Sequence, residues 1–170
     1  MTVVGVISDT HGLLRPEALR ALDGCAAIIH AGDIGNASIV ETLASLAPVT
    51  AVRGNNDRGP WAASIAESRQ LQIENVVIHV VHDVTQIGFD PAQRGIHVVV
   101  CGHSHQPRVQ QRDGVVYVNP GSAGPRRFRL PVTLATMTIA IDTIDVRLVD
   151  LANMREFCRP WKSIASTTSS

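Results

Sequence analysis
The chain has 170 residues, 45% hydrophobic and only 4% aromatic, which is enough for one sizeable core and too short for two comfortable domains. Lysine plus arginine and aspartate plus glutamate balance at 15 each, so no global field recruits polymeric nucleic acid or an anionic membrane surface. No basic region precedes the first apolar run, and glycine and acid interrupt that run, which excludes a signal peptide or membrane span and points to a cytoplasmic protein.

The first stretch, Val3-Val4-Gly5-Val6-Ile7-Ser8-Asp9-Thr10-His11-Gly12, reads as a strand buried on both faces that ends in a carboxylate and an imidazole. Residues two apart on an extended chain share a face, so Asp9 and His11 converge. Taken alone, such a pair serves equally well as a cap or a turn. A helix follows within 13–22, with Pro16 near its first turn and Gly24 as its stop. The run 26–33 repeats the opening pattern and ends in Gly32-Asp33. Asn36 or Ser38 can cap a second helix through Ile39, Val40, Leu43 and Leu46, up to Pro48. A third strand, 49–53, runs into Gly54-Asn55-Asn56-Asp57. Successive strand-helix units pair in parallel through right-handed crossovers, so Asp9, His11, Asp33 and Asn55 gather along one sheet edge.

From Ser68 the hydrophobic period becomes two, and Glu74-Asn75 turns a hairpin whose second strand ends at His82. The connection 84–94 is short or irregular, given Gly88 and Pro91. Another buried strand, 96–101, ends in Gly102-His103-Ser104-His105. Asp113-Gly114 turns a hairpin over 109–119, and Pro120-Gly121-Ser122-Ala123-Gly124-Pro125 leads to Arg126, Arg127 and Arg129. Two long strands, 132–141 and 143–151, close a single domain over 1–162. The tail 163–170 is serine- and threonine-rich and expected to be disordered. Cys25, Cys101 and Cys158 lack a Cys-x-x-Cys pair and read as buried free thiols.

The strand ends thus supply Asp9, His11, Asp33, Asn55, His82, His103 and His105, an oxygen and nitrogen donor set larger than one ion needs. Two divalent ions sharing a bridging carboxylate would use it all. The ordered motifs Asp9-x-His11, Gly32-Asp33, Gly54-Asn55-x-Asp57, His82 and Gly102-His103-x-His105, with Asn119-Pro120-Gly121-Ser122, resemble the calcineurin-like metallophosphoesterases. The resemblance is nearest to their small Vps29-like prokaryotic phosphodiesterases. It implies an α/β fold, a two-sheet β-sandwich of mixed strands flanked by helices. It also implies that Asp9, His11 and His105 hold one ion, that Asn55, His82 and His103 hold the other, and that Asp33 bridges them. Asp33, Asn55, Asn56 and His103 are the catalytic candidates.

Two positions depart from the family pattern. Asp83 follows His82 where relatives usually carry glycine, a position that can require positive φ; His79 is therefore a rival to His82, which is preferred for its place at the strand end. Asn56 stands where many relatives have histidine, and an amide donates hydrogen bonds but supplies no proton at neutral pH. His30 and His97 read as structural, and Asp57 as a loop anchor. Arg126, Arg127 and Arg129 either hold a substrate phosphate, lie in solvent or make a subunit contact.

The expected activity is a phosphodiesterase with two divalent ions per chain, manganese first, with iron, zinc and nickel compatible and magnesium disfavoured by the imidazoles. Bridging hydroxide would attack phosphorus in line. The substrate is a small phosphodiester or phosphomonoester, with neither polymeric nucleic acid nor membrane as a partner and homo-oligomerisation left open. The competing reading is a Vps29-like protein-binding scaffold with little or no catalysis.

Overall fold
The computed structural model describes residues 1–141 and 143–157. The expected tail, 163–170, and Cys158 lie outside the described residues. The first half contains β1 (Thr2–Ile7), α1 (Pro16–Leu22), β2 (Ala27–His30), α2 (Ala37–Ala44), β3 (Val49–Ala51), α3 (Pro60–Ala63), β4 (Ser68–Ile73) and β5 (Val76–Val81). Two 3₁₀ turns, Val84–Gln86 and Ala92–Arg94, make up the regular part of the irregular connection. There follow β6 (Val98–Val100), β7 (Arg108–Arg112), β8 (Val115–Asn119), β9 (Thr133–Ala140), β10 (Thr143–Asp150) and β11 (Arg155–Glu156).

These strands form two mixed sheets, ordered β11-β10-β9-β1-β2-β3 and β4-β5-β6-β8-β7. The parallel pairs β1–β2 and β2–β3 arise from the strand-helix units, while β9 runs antiparallel to β1. In the second sheet β5, β6 and β8 are parallel. The result is the expected sandwich flanked by helices.

Alternation along each strand sorts the side chains into layers. Val4 and Val6, with Met137 and Ile139 of β9, meet Ile78, Val80, Val98 and Val116 across the interface of the two sheets. On the outer face of the six-stranded sheet, Ile7, Ile28 and Leu134 pack against Ala18 and Leu22 of α1 and Ile39 and Leu43 of α2, residues one helical turn apart. Val99, Val115 and Tyr117 face outward from the second sheet, under Ile87 and Phe89 of the irregular connection. Both described cysteines, Cys25 and Cys101, are free and buried. Among the described residues no helix is long and apolar enough to cross a membrane.

Local expectations needed three corrections. Asn36 occupies the N-cap of α2, but its side chain makes no bond to a helix amide and instead accepts from Ser38 Oγ at 2.5 Å. That helix stops at Ala44, short of Pro48. Strand β3 covers only 49–51, because from Val52 the chain turns away toward the site.

Leu22 is fully buried beneath the first sheet, whereas Leu46 is 39% exposed. Leu22→Ala is expected to lower stability by about 2–5 kcal/mol, and Leu46→Ala by under about 0.5 kcal/mol. Urea unfolding followed by circular dichroism checks both.

Candidate metal centre
The carboxyl ends of β1, β2 and β3 and of β5 and β6 lie at one end of the sandwich, so loops from both sheets face one another. Asp9 and His11 follow β1, Asp33 follows β2, Asn55 follows β3, His82 follows β5, and His103 and His105 follow β6. All seven expected residues come together there. Five of the nine described non-glycine residues with positive φ belong to this set: Asp9 (54°), His11 (46°), Asp33 (52°), His103 (67°) and His105 (58°). Left-handed backbone costs a side-chain-bearing residue roughly 1–2 kcal/mol, and such strain gathers where function requires a fixed direction. Tight backbone bonds hold it: Asp9 N–H donates to Gly32 O at 3.0 Å and His11 N–H to Asp33 O at 2.9 Å.

Asp9 has no exposed surface. Its Oδ2 accepts from Ser8 Oγ at 2.7 Å and from His103 N–H at 3.2 Å. Its Oδ1 lies 3.2 Å from His105 Nε2 and 3.7 Å from His11 Nε2. Neither ring nitrogen is aligned to donate, so Oδ1 has no hydrogen-bond partner among the described residues. The two ring nitrogens themselves stand 3.4 Å apart. Asp33 lies between the histidine groups, with Oδ2 at 3.4 Å from His82 Nε2 and 3.7 Å from His11 Nε2. Its carboxylate accepts from Asn56 N–H at 2.9 Å and from Asn56 Nδ2 at 2.7 Å. Asn55 Oδ1 is 3.1 Å from His82 Nε2 and 3.2 Å from His103 Nδ1.

One buried carboxylate oxygen of this arrangement has no donor among the described residues. His82 Nδ1 lies 2.8 Å from Ala31 O, so it carries a proton, and in the neutral ring the lone pair of Nε2 faces Asn55 Oδ1 and Asp33. Burial alone would raise the pKa of Asp9, but the neighbouring His105 and His11 imidazoles and the hydrogen bond from Ser8 hold it well below the usual carboxylate range. Burial likewise opposes ionisation of Asp33, and His82 together with Asn56 overrides it, bringing the pKa to about 2. Burial disfavours protonated His82, yet Asp33 and Asp9 raise its pKa above the ordinary value. Ionised carboxylates facing imidazole and amide lone pairs are the donor set of a divalent cation. Two trios have one ligand atom per residue mutually within 4.8 Å: Asp9, His11 and His105, and Asp9, Asp33 and His82.

The neighbouring residues divide clearly. His79 lies inside β5, with its ring edge-on to Phe89 at 5.2 Å, away from the site. Burial, with Arg94 nearby, lowers its pKa. The concern over Asp83 is corrected: its φ is −109°, and its carboxylate accepts from Thr85 N–H at 2.9 Å as the cap of the first 3₁₀ turn. His30 is fully buried, with burial pushing its pKa down to about 4. Its Nδ1 accepts from Gly32 N–H at 3.2 Å, so Nε2 donates to Thr10 Oγ1 at 2.9 Å, and that hydroxyl donates to Ile34 O. Asp57 accepts from the N–H groups of Ile34, Gly35 and Gly54, locking two site loops together. His97 Nδ1 accepts from Val77 N–H. Asn119 donates to Gly102 O and Ser104 Oγ, bracing the histidine loop.

Sequence reasoning missed Ser8, Thr10 and the Arg53–Glu67 ion pair at 2.8 Å. The available signal for the first two was position: each adjoins a candidate ligand on a strand whose neighbours are apolar. Gly54 also has a packing reason, since a Cβ there would overlap the Asp33 carboxylate.

Comparisons with known proteins identify the family and the fold. A calcineurin-like phosphoesterase superfamily domain matches residues 1–142. A probable metallophosphoesterase of Methanothermobacter thermautotrophicus is 34% identical over 152 residues, covering 82% of this chain and 86% of that protein. A phosphodiesterase of Methanocaldococcus jannaschii is 27% identical over 137 residues, covering 69% of this chain and 82% of that one. The crystal structure of wild-type Vps29 of Entamoeba histolytica complexed with zinc superposes with a TM-score of 0.76 at 20% identity, covering 94% and 98% of the two chains. With that domain matching most of its length, the chain belongs to the calcineurin-like phosphoesterase superfamily.

Proposed function
We propose that the chain is a phosphodiesterase for small phosphoesters, using two divalent cations. Asp9, His11 and His105 would hold one, Asn55, His82 and His103 the other, with Asp33 between them. The observation that carries this reading is a buried Asp9 oxygen without a hydrogen-bond donor among the described residues, at a point where imidazole nitrogens, the Asp33 carboxylate and the Asn55 amide oxygen converge. When bound, the ions would lower the pKa of water from about 15.7 to about 7 and neutralise phosphate charge. Imidazole, carboxylate and amide donors suit manganese first, with iron, zinc and nickel as substitutes.

The chain's own groups orient that chemistry. Ser8 and the His103 amide hold one oxygen of Asp9, so the other is directed at His105 and His11. Asn56 grips Asp33 through backbone and side chain, keeping the carboxylate ionised and fixed in rotation. Because the Asn56 amide is no proton source, the leaving oxygen departs as an anion or takes its proton from water.

The basic test is hydrolysis of bis-p-nitrophenyl phosphate with added manganese, read alongside metal content. Absence of turnover with every divalent metal would move the reading to a binding scaffold. Asp33→Asn should lower metal affinity more than about 100-fold, beyond the loss expected from a group that merely supports a ligand, and abolish turnover. Two metals per chain with near-native activity in that variant would remove Asp33 from its assigned place.

His82→Ala should impair activity and metal retention far more than His79→Ala, since only His82 reaches the cluster. Retained activity in the first variant with inactivity in the second would reverse the assignment.

Asn56→His should raise kcat/KM for diesters with poor leaving groups by about 10²-fold or more, the contribution of a general acid, and change nitrophenyl esters much less. Rates across diesters graded in leaving-group pKa, at equal metal occupancy, check it. An unchanged slope would place proton delivery elsewhere.

A further inference from the structure
Two cavities of about 190 Å³ flank the site, and His103 lines both. One is polar, with Arg53, Asn55, His82, Asp83 and Gln86 in its wall, and its arginine is already paired with Glu67. The other is lined by His103, Ser104, His105, Arg127, Phe128 and Leu130.

Phe128 is 93% exposed and has φ 52°, a conformation unusual for a bulky side chain. Leu130 N–H donates to Arg127 O at 3.2 Å, closing a turn with Phe128 at its second position. Glycine or asparagine is the ordinary choice for positive φ in a turn. The base of this loop is pinned: Arg15 Nε and Nη2 each donate to Gly124 O at 3.2 Å, and Thr133 N–H donates to Ser122 O at 2.9 Å. A strained turn on a fixed base thus holds an apolar ring in water beside two candidate ligands. Arg126, Arg127 and Arg129 are exposed on the same loop, and none makes a salt bridge among the described residues.

We propose that this turn recognises one arm of the substrate, with Phe128 stacking on a flat aromatic group of nucleobase type and Arg127 reinforcing it from the same wall. The inference rests on the phosphodiesterase reading above. A phosphodiester has two arms diverging from one anionic phosphorus, matching two cavities on either side of His103. The aromatic arm belongs on the Phe128 side, which offers an exposed ring and a guanidinium with no ion-pair partner among the described residues; both attract the π-face of a base. The polar arm belongs on the Arg53 side.

The test compares adenosine 5′-monophosphate with ribose 5-phosphate, which share sugar and phosphate and differ only in the base. Calorimetric titration of each into the manganese-loaded full chain gives a ratio of dissociation constants in which differences in metal occupancy cancel. The unmodified protein should favour the adenosine compound. Phe128→Ala should lower that preference about tenfold, within the range for loss of one base-on-aromatic stack. Phe128→Trp should restore it, and Leu46→Ala, an exposed apolar change elsewhere, should leave it as it is.

Equal binding of the two compounds, or a preference unchanged in Phe128→Ala, overturns the inference while bis-p-nitrophenyl phosphate turnover keeps the phosphodiesterase reading. An unchanged preference with an altered sedimentation coefficient in Phe128→Ala overturns it in favour of a subunit contact. Failure of turnover with every divalent metal removes the phosphodiesterase reading and this inference with it.

Discussion
A carboxylate with no exposed surface is costly at any oxygen left unpaired, and Asp9 is paired at all but one of its oxygens. One side-chain oxygen is held by Ser8 from its own strand and by the His103 amide from the opposite sheet. Its backbone carbonyl accepts from Ser122 Oγ at 2.9 Å, and the preceding carbonyl from Ala123 N–H at 3.0 Å. A single residue thereby ties β1 to the histidine loop and to the 120–124 loop. The valine-rich interface beneath sets the separation of the sheets, and Asp9 fixes their alignment at the end where the chemistry lies. The remaining oxygen, directed at two imidazoles, is what makes the junction a site rather than a brace.

Much of this was legible in the sequence because the relevant signals are local. Short apolar runs ending in Asp, His or Asn marked the strand ends, and parallel strand-helix units placed several of those ends on one edge. The preference for His82 over His79 followed from position alone, and in the fold His79 packs on Phe89 instead. What escaped was nonlocal. No period in the sequence says that β9 pairs with β1, or that β8 sits between β6 and β7. Two-residue β11 and four-residue α3 are too short to carry a period. Ser8 and Thr10 are ordinary polar residues until the partners arriving from elsewhere in the chain are known.

The residue types at the strand ends satisfy two demands together. Aspartate and histidine donate to cations, and they also tolerate left-handed backbone better than most residues. Asp57 then holds the turns from below through three backbone amides, and Gly54 leaves room for the Asp33 carboxylate. Direction is built into the loops, and packing around them prevents relaxation.

The bond between the His103 amide and Asp9 spans 94 positions of sequence, as does the approach of His11 to His105. Closing so long a loop costs entropy before any contact repays it. The cluster is complete only where the two sheets are docked. A chain segment carrying Asp9, His11 and Asp33 lacks the imidazoles of the second sheet and supplies only part of the cluster. A cation with affinity for the complete cluster would bind the docked state and not its precursors, acting by mass action as a latch on finished molecules.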